Sequence, residues 1–280
     1  KTIIAEVPQT NITDLLNTIA PSFNSTTQTV ADGTDHIDPA TVRGLGPDQT
    51  LVMVNGKRRY TSALVNVNGT MGRGSVGTDL NAISIAGIER IEVLRGPQGT
   101  LFGKNTSAGA FNVTTKAPQF ETGGTAEISY GNFGYIQAKT SITGPLIKNK
   151  LAARVSFSGT QRDGTIYNTN NNKYVNDLNN LGVRASLLYK INDSAKITFI
   201  YDATRQQPKE GYAQVLAGVV PTQRAAYRQF GAIAQDLNWQ IPGRTGVYPN
   251  EYDFSRQINQ NSTWRANNNM GGISLNGDFK

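Results

Sequence analysis

The sequence predicts an α+β unit joined to an antiparallel all-β unit that fills the rest of the chain. Three observations lead there. One short stretch has helical periodicity and is followed by brief apolar strands set among glycine-rich loops. From Gly124 onward, a strict two-residue alternation recurs six times. No stretch approaches the roughly 18 consecutive apolar residues of a membrane-spanning helix; residues 215–220 are the longest candidate. The 280 residues hold one large domain or two modest ones. Taken alone, 38% hydrophobic residues and a mean hydropathy of −0.39 describe a soluble, β-leaning protein. Lys1 opens no signal-peptide pattern, so a cytoplasmic, already processed or partial chain is expected.

In chain order, Ile12, Leu15, Leu16 and Ile19 fall at i, i+3, i+4 and i+7, the spacing of an amphipathic helix. Thr10 or Asn11 would cap it, and Pro21 lies beyond its end. Residues 50–55 (TLVMVN) read as a strand running into an Asn55–Gly56 turn. Residues 88–95 (IERIEVLR) and 110–115 (AFNVTT) read as two more strands, with glycine-rich loops such as 66–77 between them.

The alternating segments follow. Their apolar positions include Ala126, Ile128 and Tyr130, then Ile136, Ala138 and Ile142, then Leu151, Ala153, Val155 and Phe157. Leu181, Val183, Leu187 and Tyr189 come next, then Ile197, Phe199 and Tyr201, then Ile273, Leu275 and Phe279. The opposite faces carry Glu127, Lys139, Arg154, Arg184, Lys196 and Asp202. Successive strand side chains point to opposite faces, so each segment has one apolar and one polar side. A β-sandwich and a transmembrane barrel both produce that pattern. The connections favour the barrel. Residues 144–150 and 192–193 make short turns at one end, while 161–180 and about 207–269 make long loops at the other. The link at 131–134 is the one short connection on the long-loop end.

Composition excludes several chemistries. With no cysteine there is no disulfide framework and no thiolate chemistry. A single histidine, His36, removes paired-histidine zinc sites and disfavours a serine-hydrolase triad. The net charge of +7 is spread along the chain, which suits a solvated basic surface. Residues 72–77 (GRGSVG) have dinucleotide-loop spacing but no preceding strand or following apolar helix, so they read as a flexible loop. Residues 99–106 lack the first glycine and the Ser or Thr of a phosphate loop. Asp32, Asp35, His36 and Asp38 match no calcium loop and read as a polar loop, with a substrate-facing role as the competitor. Lys57, Arg58 and Arg59 read as solvated turn residues.

Residues 88–118, IERIEVLRGPQGTLFGKNTSAGAFNVTTKAP, carry the strongest signal. With residues 42–46 (VRGLG), 51–57 (LVMVNGK) and 11–21, they closely resemble the plug domain of TonB-dependent outer-membrane receptors. Residues 124–157 resemble the first barrel strands, including the Gly144–Pro145–Leu146 turn; beyond about residue 160 only the alternation supports the likeness. The resemblance implies an α+β plug domain (residues 1–120) inside a transmembrane antiparallel β-barrel, with residues 121–280 as its N-terminal part. Such barrels have about 22 strands and a plugged lumen, and about six strands are expected here. It further implies that Arg43 and Arg95 lock the plug to wall glutamates on later strands, and that Asp35, His36, Gln49, Arg58 and Tyr60 face the external vestibule.

The implied protein is a transporter, not an enzyme, and needs no cofactor. It lies in the outer membrane of a Gram-negative bacterium and takes up a scarce siderophore, vitamin or oligosaccharide by contact with a TonB-type inner-membrane transducer. Low hydrophobicity then reflects half-polar strands plus a hydrated plug. No TonB box is evident in residues 1–8, and six strands cannot close around a plug, so an incomplete receptor is expected. A secreted ligand-binding β-sandwich with an accessory α+β domain is the alternative.

Overall fold

The first helix, α1 (Ile12–Ile19), forms where the apolar spacing places it; Ile12 and Leu16 are 1% and 0% exposed. It stops at Ala20, whose N–H still reaches the Leu16 carbonyl, because Pro21 cannot extend the ladder. This computed structural model describes residues 12–25, 37–67, 72–80, 83, 87–169, 171–210, 257–258, 264–265 and 267–279. The expected helix cap at Thr10 or Asn11 lies outside the described residues.

Two short strands, β1 (Phe23–Asn24) and β2 (Thr41–Val42), pair antiparallel beside α1. The centre of the first unit is a four-stranded sheet made by β3 (Thr50–Val54), β4 (Lys57–Arg58), β5 (Ile88–Arg95) and β6 (Gly109–Thr115), in the order β4-β3-β6-β5. β3 runs parallel to β6, and the other two pairs are antiparallel. A single turn of helix, α2 (Gly99–Phe102), bridges β5 and β6. Asn55 and Gly56 have φ of 53° and 75°, the left-handed pair that matches the twist of a two-residue hairpin. The Asn55 amide also donates to Thr115 Oγ1 at 3.0 Å and accepts from the Thr115 N–H at 2.9 Å, which ties the turn to the end of β6. Beneath the sheet, Ile12, Leu16, Phe23, Val42, Val52, Leu80, Phe111 and Val113 close one apolar core. Phe23 meets Phe111 edge-on at 5.2 Å.

The second unit is a six-stranded antiparallel sheet of β7 (Gly123–Gly131), β8 (Tyr135–Ile147), β9 (Leu151–Arg162), β12 (Leu178–Lys190), β13 (Ala195–Gln206) and β17 (Asn268–Phe279). All six alternating segments are present, and each strand pairs with its neighbour in this sequence. Short strands β10 (Ile166–Asn168) and β11 (Lys173–Val175) turn the expected 161–180 loop into a hairpin. β15 (Gln257–Ile258) joins its edge, and β14 (Lys209–Glu210) pairs with β16 (Trp264–Arg265).

Burial along this sheet is the reverse of a soluble sheet. Gln137, Ser141, Thr143, Arg154, Ser156, Ser158 and Ser186 are buried on one face, while Ile142, Val155, Ile273, Leu275 and Phe279 are exposed on the other. A sandwich would hide the apolar face. A barrel wall turns it toward lipid and its polar face toward the lumen. The sandwich alternative is therefore overturned. Among the described residues no helix is long and apolar enough to cross a membrane.

One further expectation changes. The run 72–77 was expected to be a flexible loop, yet it is a tight turn packed on Pro47. A Cβ added at Gly72 or Gly77 would stand 2.2 or 2.7 Å from proline side-chain atoms (Pro47 and Pro39), so close approach explains those glycines.

Candidate functional site

The candidate functional surface of this fold is the contact between the α+β unit and the polar face of the wall. The chain leaves β6 at Thr115 and enters β7 at Gly123, and two bonds fasten this crossing to the wall. The Gln119 N–H donates to Thr143 Oγ1, and Arg154 Nε donates to the Ala117 carbonyl, both at 2.9 Å. Arg154 is 7% exposed and also donates through Nη1 to Ser141 Oγ, with Glu89 of β5 as its nearby opposite charge. Gly87, at φ +75°, sits so close to β9 that an added Cβ would be 2.6 Å from Ser156 Oγ.

A second crossing has the opposite polarity. Arg59 follows the β3–β4 hairpin, and its Nη1 and Nη2 both lie 3.3 Å from Asp202 Oδ2 on β13. The register sets Asp202 opposite Arg184 of β12, whose Nη1 is 3.9 Å from the other oxygen, Oδ1. All three side chains are largely withdrawn from water, at 12%, 19% and 12% exposure. Arg59 also stacks 4.5 Å over the Tyr60 ring and donates to its hydroxyl at 3.1 Å. The reading of Arg59 as a solvated turn residue is thus wrong. Proximity along the chain could not reveal its partner, which is 143 residues away. The one available signal was that Asp202 is an acid on a polar strand face of mostly basic residues.

The predicted site residues fall into three groups. Arg43 and Arg95 come together through their motifs. Arg43 and Gly44 have φ of 58° and 72°, Gly96 has 86°, and a Cβ added to Gly96 would stand 3.6 Å from Arg43 Nη1. Both arginines are exposed, and among the described residues neither has a carboxylate at ion-pair distance. Gln49 ends a short 3-10 turn, and its carbonyl accepts from the Ala108 N–H at 3.0 Å, at the end of β3 opposite the Asn55–Gly56 turn. Arg58 donates through Nη2 to the Phe102 carbonyl and, at 2.7 Å, to that of Lys104, so it braces α2. Tyr60 is half exposed beside Arg59. Asp35 and His36 lie outside the described residues. Among the described residues no group of three His, Asp or Glu side chains is placed to hold a metal.

Sequence and structure comparisons agree with this arrangement. Residues 1–110 match the family model described as the TonB-dependent Receptor Plug Domain. Residues 1–110 thus match the plug domain of TonB-dependent receptors, and the six strands that follow have the fold of a barrel wall like that of the solved receptors.

Among individual proteins, it is 29% identical over 170 residues to the ferric enterobactin receptor of Pseudomonas aeruginosa, covering 58% of this chain and 22% of that protein. It is 33% identical over 144 residues to the vitamin B12 transporter of Vibrio cholerae, covering 51% of this chain and 21% of that protein. The crystal structure of the ferric yersiniabactin uptake receptor from Yersinia pestis superposes with a TM-score of 0.67 at 15% identity, over 96% of this chain and 35% of that one. These relatives are transport receptors. The chain spans about a fifth of the length of the two curated relatives.

Proposed function

We propose that this chain is the plug and first wall strands of a TonB-dependent receptor that takes up a scarce nutrient across the outer membrane of a Gram-negative bacterium. The observation that carries the reading is the inverted wall: polar residues meet a separately cored plug, and apolar residues face outward. The division falls near residue 120, with residues 1–120 as plug and 121–280 as wall. The protein transports and does no covalent chemistry. Substrate of the siderophore, vitamin or oligosaccharide class binds outside, near Asp35, His36, Gln49 and Tyr60, and near the α2 turn that Arg58 holds. A TonB-type inner-membrane transducer then loosens the plug. Binding must favour one plug state over another, because a ligand with equal affinity for both shifts nothing.

In this reading Arg43 and Arg95 lock the plug to carboxylates on strands beyond the described wall. Reversing either charge in the intact receptor should raise resting pore conductance and antibiotic sensitivity. Unchanged values in both variants would remove that assignment. The uptake reading itself is tested by growth of a deletion strain on limiting ferric siderophores, cobalamin or oligosaccharides. It predicts a defect on one class, restored by the gene and abolished without the transducer; normal growth on all three would overturn it.

A further inference from the structure

Arg59, Asp202 and Arg184 form a charge triad that the Arg43 and Arg95 assignment does not use. Its geometry is uneven. Arg59 takes Oδ2 of the carboxylate at 3.3 Å with both terminal nitrogens, while Arg184 waits on Oδ1 at 3.9 Å. One partner belongs to the plug and the other to the wall, so a single aspartate serves two cations on bodies that can part. Removing one member of a withdrawn ion pair normally strands the other charge, which is where most of the penalty for breaking such pairs arises. Arg184 prevents that here, since Asp202 keeps a cation when Arg59 leaves. Arg184 also acts on the seated state, because it places a like charge beside Arg59 and weakens its hold.

We infer that Arg59–Asp202 is a releasable latch between the plug hairpin and the wall, and that Arg184 is the positioning residue that sets its strength by taking over the Asp202 charge on release. Gly272 faces Asp202 across the β13–β17 pairing, where an added Cβ would stand 3.9 Å from Oδ1.

The inference deepens the reading of the plug as a body that moves. Its test uses neither substrate nor transducer, so the two readings fail separately. Full-length receptor in planar lipid bilayers is followed by conductance at a fixed urea concentration that gives rare openings. Arg59→Met should raise opening frequency about tenfold or more, the worth of hydrogen bonds to a charged group when Arg184 keeps Asp202 paired, and Asp202→Asn should raise it at least as much, because two arginines then face each other. Arg59→Lys, which keeps the charge and loses the fork, should fall between wild type and Arg59→Met. Arg184→Met should act in the opposite direction and lower opening by about threefold, the scale of a weak screened charge interaction. General loss of fold cannot mimic that sign. Arg184→Met equal to or leakier than wild type would overturn the hand-over, and an unchanged Arg59→Met would overturn the latch. A receptor with the expected latch but no uptake of any nutrient would sink the transport reading alone.

Discussion

Replacing Gly87 with alanine tests how closely plug and wall are fitted, and the effect separates into two parts. Gly87 has φ +75°, and its carbonyl is held by the Lys116 N–H at 2.7 Å, so the backbone cannot easily move to a right-handed conformation. An L-residue held there loses about 1–2 kcal/mol. The second part is steric. The new Cβ would lie 2.6 Å from Ser156 Oγ and 3.1 Å from Ser156 Cβ. Ser156 is 2% exposed and its hydroxyl is bonded to Ser141 Oγ at 2.9 Å, so it has little room to yield. Overpacking of that kind costs about 1–3 kcal/mol. Gly87→Ala should therefore weaken plug seating by about 2–5 kcal/mol, and adding Ser156→Gly should return the steric share. The single Ser156→Gly variant, which loses one side-chain hydrogen bond worth about 1 kcal/mol, completes the cycle. Denaturant unfolding of the intact receptor in detergent supplies the measurement. A fluorophore on a cysteine placed at Leu101, 77% exposed, reports on the plug alone once any cysteine outside these 280 cysteine-free residues is replaced by serine. If the two single losses simply add up to the loss of the double variant, so that the cycle shows no coupling, the close contact with Ser156 is refuted; if Gly87→Ala matches wild type, both parts are.

Three further outcomes follow from the same structure. Leu275→Arg, on the outward face at 66% exposure, should lower the stability of the lipid-inserted barrel by about 2–4 kcal/mol, whereas Ser274→Arg on the inner face should cost far less; folding titrations into lipid vesicles measure both. Phe111→Ala should remove about 3–5 kcal/mol from the plug, since the ring is 0% exposed and meets Phe23 at 5.2 Å; denaturant midpoints check it. The Asp193 carboxyl, in the turn between β12 and β13, is held below the ordinary carboxylate value by hydrogen bonding and charge from Lys190, which lies 2.6 Å away. Its folded value being the lower one, any stabilisation is present in full above the unfolded value of about 3.9 and disappears as pH falls through the folded value. Because Asp193 is exposed, salt should erase the shift, and a carboxyl titration by NMR in wild type and Lys190→Ala reads both effects.

The elements legible in the sequence were those whose patterns are local. Alternation placed all six wall strands, the helical spacing of Ile12 and Leu16 placed α1, and Asn55–Gly56 gave its turn, because each rests on backbone periodicity or on one residue's tolerance of positive φ. The two-residue strands were not legible, since two residues carry no period. The contacts of the site were not legible either. Arg59 and Asp202 meet only once the plug is seated and the β12–β13 register is fixed, and neither fact is written near either residue. Arg58 shows the same limit in milder form: its basic run suggested a free or ligand-facing cation, but the folded chain brings two backbone carbonyls to it.

How the plug is held bears directly on whether it can be released. Both apolar clusters among the described residues are built from plug residues alone: α1, Phe23, Val42, Val52, Leu80 and Phe111 in one, Leu51, Met53 and Ala110 in the other. The contacts to the wall are of another kind, an ion pair at Asp202, hydrogen bonds at Ala117 and Gln119, and a glycine against a serine hydroxyl. The difference decides what separation requires. Pulling interdigitated leucines out of the wall would expose apolar area at about 25 cal/mol per Å², with nothing in a wet lumen to replace the loss. A neutral hydrogen bond can instead be exchanged for water at a net worth of about 0.5–1.5 kcal/mol, and one to a charged group at about 1.5–3 kcal/mol. A plug seated through polar contacts and cored through apolar ones can therefore leave the wall as a folded body, because the interactions that hold its shape are not those that hold its place.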